Sequence, residues 1–248
     1  MQKLVQKFGN SAHIILPREM IGKKVRLLLA TRTFNDIKEE VLKFLNPHLH
    51  EIIALYLYGS YSRQEPSKAS DIDILVIAEK PIKINHQEYT FACITLNQLK
   101  EAVEKTPVLI LPIIREAITI INPEPLSQYK SLNLTKANTQ YFIKDCKAIL
   151  ATQKKGTELE IDTGSLVYSL ILRLRSLYII KTWSQKQYTK SGFLNFLEKT
   201  FNKNEVDELY QIYSSERAGL QIKTSNIIKK EHLQKLLIIM EKLIRELS

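Results

Sequence analysis

Only seven glycines and two cysteines occur in 248 residues. So few glycines argue against a long flexible linker. Cys93 and Cys146 sit in apolar or amphipathic contexts without metal-ligand spacing, and read as buried free thiols of a reducing cytoplasm. The five histidines are scattered and form no zinc pattern. No run of about 18 uncharged apolar residues appears, which argues against a transmembrane helix and a membrane partner. The first residues, MQKLVQKFGNSAH, are too polar for a secretory signal. The expected location is the cytoplasm.

What is present is an ordinary globular composition, 44% hydrophobic, with enough chain for one large domain or two ordinary ones. The net charge of +10 is unevenly spread. Residues 1–29 carry six basic and one acidic side chain, a net +5. Residues 30–126 carry ten basic and thirteen acidic, a net −3, and residues 127–248 carry twenty and twelve, a net +8. An acidic middle suits metal binding. Basic flanks suit nucleic acid or nucleotide phosphates, and equally suit solvated lysine-rich helix faces.

The most informative stretch is LYLYGSYSRQEPSKASDIDILVIA, residues 55–78. An apolar strand runs into Gly59-Ser60, a polar loop follows, and Ser70-Asp71-Ile72-Asp73 leads into a second apolar strand. Strand alternation puts Asp71 and Asp73 on one face, where two hard carboxylates can share a divalent cation. A Gly-Ser turn after a strand offers backbone N–H groups and a hydroxyl to an anion. The plain alternative is two surface aspartates near a turn.

These residues, with Arg63 in the loop, resemble the Gly-Ser…Asp-x-Asp signature of DNA polymerase β-like nucleotidyltransferases, over roughly residues 29–122. The resemblance implies an α+β fold with a small mixed sheet and flanking helices. It also implies that Gly59, Ser60, Arg63 and Ser70 bind an NTP, ATP being the expected one, and that Asp71 and Asp73 ligate two magnesium ions. Relatives add a third carboxylate from the next strand. Tyr89–Leu96 contains none, and Glu88 just before it is the near candidate for a catalytic role. Around this stretch the patterns predict a capped helix from Thr33-x-x-Asp36 to Asn46-Pro47, strands at residues 52–58, 72–78, 89–96 and 118–121, and helices at 97–105 and 108–117.

Three regions are expected: 1–29, 30–126 and 127–248. In the first, strands at residues 4–8 and 13–16 around Gly9-Asn10-Ser11, a helical turn after Pro17, and a third strand at 25–29 resemble a short AbrB/MazE-type swapped hairpin. A unit of about 30 residues cannot bury a core alone, so a homodimer is expected. Lys3, Lys7, Arg18, Lys23, Lys24 and Arg26 are the candidate DNA-phosphate contacts. A hairpin that only extends or dimerises the protein is the competing reading.

Beyond Asn122-Pro-Glu-Pro125 come amphipathic helices near residues 136–153, 163–183, 190–200, 204–217 and 228–247, read as a bundle. The bundle resembles the helical domains of kanamycin nucleotidyltransferase and HEPN proteins. Arg217 has no histidine four to six residues on, which rules out the HEPN ribonuclease motif. Arg173 and Arg175 lie two apart in an apolar helix, so at most one faces a shared cleft. Glu158, Glu160, Asp162 and Glu216 are the acids this half can offer to a site. The expected activity is magnesium-dependent transfer of a nucleoside monophosphate to a hydroxyl of a small molecule, protein or RNA, releasing pyrophosphate. The alternative is a DNA-binding regulator or antitoxin-like protein that binds nucleotide without transfer.

Overall fold

The computed structural model describes residues 6–25, 32–66, 70–158, 162–184, 188–217, 219 and 229–248, which fall into two units, Met1–Pro47 and His48–Ser248. In the first unit β1 (Gln6–Phe8) pairs antiparallel with β2 (Ser11–His13), Gln6 opposite His13. The return strand therefore starts earlier than the expected residue 13, because Gly9 adopts φ +59° and closes the turn with Asn10 alone. A 3-10 turn covers Arg18–Met20. Of the expected third strand, Val25 has no strand pairing and 26–29 lie outside the described residues, as do Lys3 and Arg26. Helix α1 (Phe34–Leu45) opens with the expected capping box: the Asp36 N–H donates to Thr33 Oγ1, and the Thr33 N–H donates to Asp36 Oδ2. One face of α1, Ile37, Val41 and Leu45, is buried.

The second unit contains the sheet. Strands β3 (Ile52–Tyr58), β4 (Ile72–Ala78), β5 (Tyr89–Ile94) and β6 (Ile118–Ile121) lie in the order β5-β4-β3-β6. β4 and β6 run antiparallel to β3, and β5 runs parallel to β4. The sheet is mixed, as the order of apolar runs predicts. Every residue of β4 is buried, including Asp73, so this strand forms the middle of the unit rather than an edge. Between the strands lie the short helix α2 (Gly59–Ser62) and then α3 (Leu96–Lys105) and α4 (Pro107–Glu116). Thr95 and Gln98 form a capping box for α3.

After α5 (Glu124–Ser127), the helices α6 (Lys136–Glu158), α7 (Thr163–Thr182), α8 (Lys190–Leu197), α9 (Lys203–Arg217) and α10 (Lys230–Leu247) build the bundle. By length and composition α7 could cross a membrane. Here Leu166, Val167, Leu170, Ile171, Leu174 and Leu177 are buried in the bundle, and α7 is its core helix. Its end joins the bundle to the sheet. Trp183 is buried with the sheet-side cluster of Tyr56, Leu75, Leu99 and Leu111, its carbonyl accepts a 2.8 Å hydrogen bond from Arg115 Nη1, and Arg115 lies 3.3 Å above its ring. Burying the indole and fixing its carbonyl with a guanidinium that also stacks sets where the bundle meets α4.

Candidate active site

Two adjacent strands bring the signature residues together. Tyr58, last in β3, pairs with Asp73 on β4, so the turn leaving β3 lies directly beside the second carboxylate. Gly59 takes φ +78°, and a Cβ built there would lie 2.1 Å from Asp73 Oδ2. Only glycine permits both the left-handed backbone and this approach.

Asp73 is 9% exposed, and no hydrogen-bond donor among the described residues reaches it. Among the described residues its one cation within ion-pair range is Arg217, whose Nη2 lies 3.9 Å from Oδ1. Burial above all, aided by the charges of Asp71 and Glu116, pushes the Asp73 carboxyl up to about 6. Asp71 precedes β4 and is exposed. Ser70, before it, is half-buried.

The parallel register answers where the next strand can supply an acid. Ile72 pairs with Tyr89 and Asp73 with Thr90, so a threonine stands beside the buried carboxylate. Glu88 falls level with Asp71; its carbonyl accepts from the Ile72 N–H at 3.0 Å, and it is exposed. Among the described residues no three His, Cys, Asp or Glu side chains gather as a metal cluster, so Glu88 does not join the two aspartates in one.

Glu116, at the end of α4, is a site residue that sequence reasoning did not pick out. Its Oε1 accepts the Gly59 N–H at 2.7 Å and its Oε2 accepts from Arg63 Nη1 at 2.6 Å. Burial holds its carboxyl above the usual range, against the pull of Arg63. Two of the groups expected to face phosphate, the Gly59 N–H and Arg63, are therefore already committed to a carboxylate. Arg63 Nε also lies 3.6 Å from Glu65 Oε2. The available signal was the one acid at the end of PVLILPIIRE, an otherwise apolar helix with a single neighbouring arginine. Replacing Glu116 by Ala leaves a buried guanidinium and a buried N–H without their acceptor, and should cost about 3 kcal/mol, read as a lower urea midpoint at unchanged slope.

The bundle also meets the loop that follows Gly59. The Lys190 N–H and the Ser191 hydroxyl donate to the two oxygens of Glu65, and Lys190 Nζ lies 4.4 Å over the Tyr210 ring. Arg175 donates to the hydroxyls of Tyr188 and Tyr213 and has no carboxylate within ion-pair range among the described residues, while the Tyr188 ring is 5.4 Å from both Arg175 and Arg63. Of the helical-half acids, Asp162 caps α7 through the Ser165 N–H, and Glu160 lies outside the described residues.

Comparison with known proteins identifies the central segment. Residues 39–124 match the family model "Polymerase beta, Nucleotidyltransferase", and residues 1–29 match "Putative transposon-encoded protein (DUF2080)". No curated protein matches the sequence. Among solved structures, a spectinomycin adenyltransferase AAD(9) from Enterococcus faecialis, crystallised with ATP and spectinomycin, aligns over 86% of this chain and 99% of its own at 15% identity and TM-score 0.49. A nucleotidyltransferase-like protein from Exiguobacterium sibiricum aligns over 85% and 75% at 10% identity and TM-score 0.36. A toxin-antitoxin protein crystallised with AMP-PNP aligns over 44% and 96% at 18% identity and TM-score 0.30. These likenesses are too distant to carry a substrate across. The assignment rests on the matched segment, which contains the whole signature and all four strands of the mixed sheet. Residues 39–124 of this chain are thus similar to the polymerase β-type nucleotidyltransferases, a match that covers about a third of its length.

Proposed function

We propose that this protein transfers a nucleoside monophosphate from an NTP, ATP being the expected donor, to a hydroxyl group of an acceptor. The observation that carries the reading is the buried Asp73, with no hydrogen-bond donor among the described residues, two residues after Asp71 and directly beside the Gly59 turn. The acceptor oxygen forms a bond to the α-phosphorus, the bond from that phosphorus to the bridging oxygen of the β-phosphate breaks, and pyrophosphate leaves with the electron pair.

The donor set fits magnesium, since two hard carboxylates stand two residues apart at the start of β4 and the buried one has, among the described residues, no counter-charge closer than 3.9 Å. Asp71 and Asp73 would hold the ion, which supplies charge neutralisation of the triphosphate. The chain's own residues divide the rest. The Ser60 hydroxyl, Ser70 and Arg217 face phosphate oxygens. Glu116 holds the Gly59 turn and Arg63 in place. Glu88, level with Asp71 at the exposed edge, receives the acceptor's proton.

The test uses each α-labelled NTP with magnesium and, in separate reactions, tRNA, lysate protein and aminoglycosides. Native protein should label one acceptor class, and the Asp71→Ala/Asp73→Ala protein none. Full turnover by the double variant would overturn the assignment. The free thiols Cys93 and Cys146 and the need for cellular NTP accord with a cytoplasmic protein.

A second reading concerns the N-terminal module and is favoured by its surface. Phe8 is 69% and Ile21 79% exposed, alongside Ile15 and Val25, while Lys7, Arg18, Lys23 and Lys24 are also exposed. So much open apolar surface on a short hairpin suits pairing with a second copy, and the cations suit DNA phosphates. Light scattering should give a dimer that Phe8→Ser/Ile21→Ser converts to monomer. DNA affinity should fall steeply with salt, and Lys23→Ala/Lys24→Ala should flatten the salt slope by roughly two. DNA binding without any nucleotide transfer would favour a regulator or antitoxin-like protein over an enzyme.

A further inference from the structure

A cavity of about 330 Å³ opens between the start of α4, the first half of α6 and the middle of α7, within the size range of small-molecule sites. It is separate from the candidate active site. Pro107–Leu109 lie at its wall, whereas Glu116, which grips Gly59, ends the same ten-residue helix, about 10–14 Å away along its axis.

The walls are mainly apolar, from Val108, Leu109, Phe142 and Leu172, with Tyr141 at the rim. Leu109 is 56% and Tyr141 79% exposed, an unusual concentration of open apolar surface around one opening. Into this setting the fold brings Arg173. Its Nη1 donates to the Ser169 carbonyl and Oγ at 3.3 and 3.0 Å, and its Nε is buried with no acceptor. No carboxylate lies within ion-pair range of Arg173 among the described residues, and the other lining cation, Lys105, is paired with Glu101 at 3.0 Å. Arg173 thus lines a mainly apolar cavity with its guanidinium held only by a neutral hydroxyl and a carbonyl, and this uncompensated charge can pair with an anion in the cavity. Asp145, on the same wall, is exposed and does not meet it.

We infer that this cavity binds a small organic anion with an apolar body, its acidic group on Arg173 and its body against Val108, Leu109, Phe142 and Leu172. The inference does not depend on the transfer reaction. If that reaction fails, this site still stands, and the assay below reads binding alone.

The probe is the anionic dye 1-anilinonaphthalene-8-sulfonate, with the uncharged N-phenyl-1-naphthylamine as its comparison, titrated into the full chain. Native protein should bind one equivalent of the anionic dye saturably. Arg173→Met should weaken that binding at least tenfold and leave the neutral dye unchanged, while Arg173→Lys should recover part of it. Leu109→Trp, placed at an exposed wall position, should weaken both dyes. Circular dichroism and thermal midpoints establish that each variant is folded. If the anionic dye fails to saturate, or binds equally to native, Arg173→Met and Leu109→Trp proteins, the inference is wrong. Equal loss of both dyes in Arg173→Met would likewise sink the role of charge.

Discussion

Asp73→Asn should abolish nucleotide transfer and at the same time raise the melting temperature of the metal-free protein at pH 7.5. The folded carboxyl titrates at about 6, against 3.8 ordinarily, with burial as the leading cause. Between those values the native state binds a proton that the unfolded chain has released. Stability therefore falls as pH rises through that window, and the penalty is fully present above it. A shift of about two units corresponds to about 3 kcal/mol, or roughly 5 °C or more for a unit of this size. The neutral amide does not carry this penalty, so the gain of the variant should shrink as the pH falls below about 6 and vanish once it is below the ordinary value of 3.8. Magnesium should stabilise native protein at pH 7.5 and leave Asp73→Asn unmoved, because only the native carboxylate gains from a cation. Activity should fall at least a thousandfold, about 4 kcal/mol in transition-state stabilisation. A variant that melts lower at pH 7.5, or responds to magnesium like the native chain, would contradict the reading of Asp73 as a desolvated metal ligand.

Gly59→Ala is the second substitution with a large expected effect. A left-handed residue other than glycine costs about 1–2 kcal/mol in backbone energy. The new methyl would also stand 2.1 Å from Asp73 Oδ2 and 2.9 Å from Cγ, so the carboxylate must move. Asp73 is a short side chain on the fully buried inner strand β4, with little freedom to yield. Gly22 shares the φ of +78° but has nothing within 4 Å of its added Cβ, which makes Gly22→Ala the control for backbone strain alone. Transfer by Gly59→Ala should drop at least a hundredfold, the scale expected when a reacting group is misplaced by about 1 Å. Gly22→Ala should melt lower and turn over normally. Equal activities in the two variants would show that the contact with Asp73 does not matter.

Several features were legible in the chain because their causes are local. The apolar runs at residues 52–58 and 72–78 became β3 and β4 with those bounds, since a continuous run flanked by polar turns has one simple way to be buried. The Thr33-Asp36 box requires only residues three apart. The sequence also put Asp71 and Asp73 at the start of the second strand, where β4 begins between them. The amphipathic periods of α6–α10 fixed a bundle, with helix ends shifted by a few residues where capping rather than periodicity sets the stop.

Other features depended on which segments meet. Glu116 lies 57 residues from the Gly59 N–H it accepts, and its place at the end of an apolar helix gave no partner until α4 packed beside the turn. Arg63 looked like a phosphate ligand because an arginine in a loop near Gly-Ser has no visible counter-charge, and the fold supplied one. Arg173 and Arg175 are indistinguishable by spacing alone. Packing gave Arg175 two tyrosine hydroxyls and left Arg173 with Ser169 and a cavity. The sequence by itself determined the strands at 52–58 and 72–78 and the Thr33 cap, because backbone sterics and short-range hydrogen bonds act within a few residues. Only the tertiary structure decided which buried charges have partners and which do not, because desolvation and pairing depend on groups brought together from distant parts of the chain.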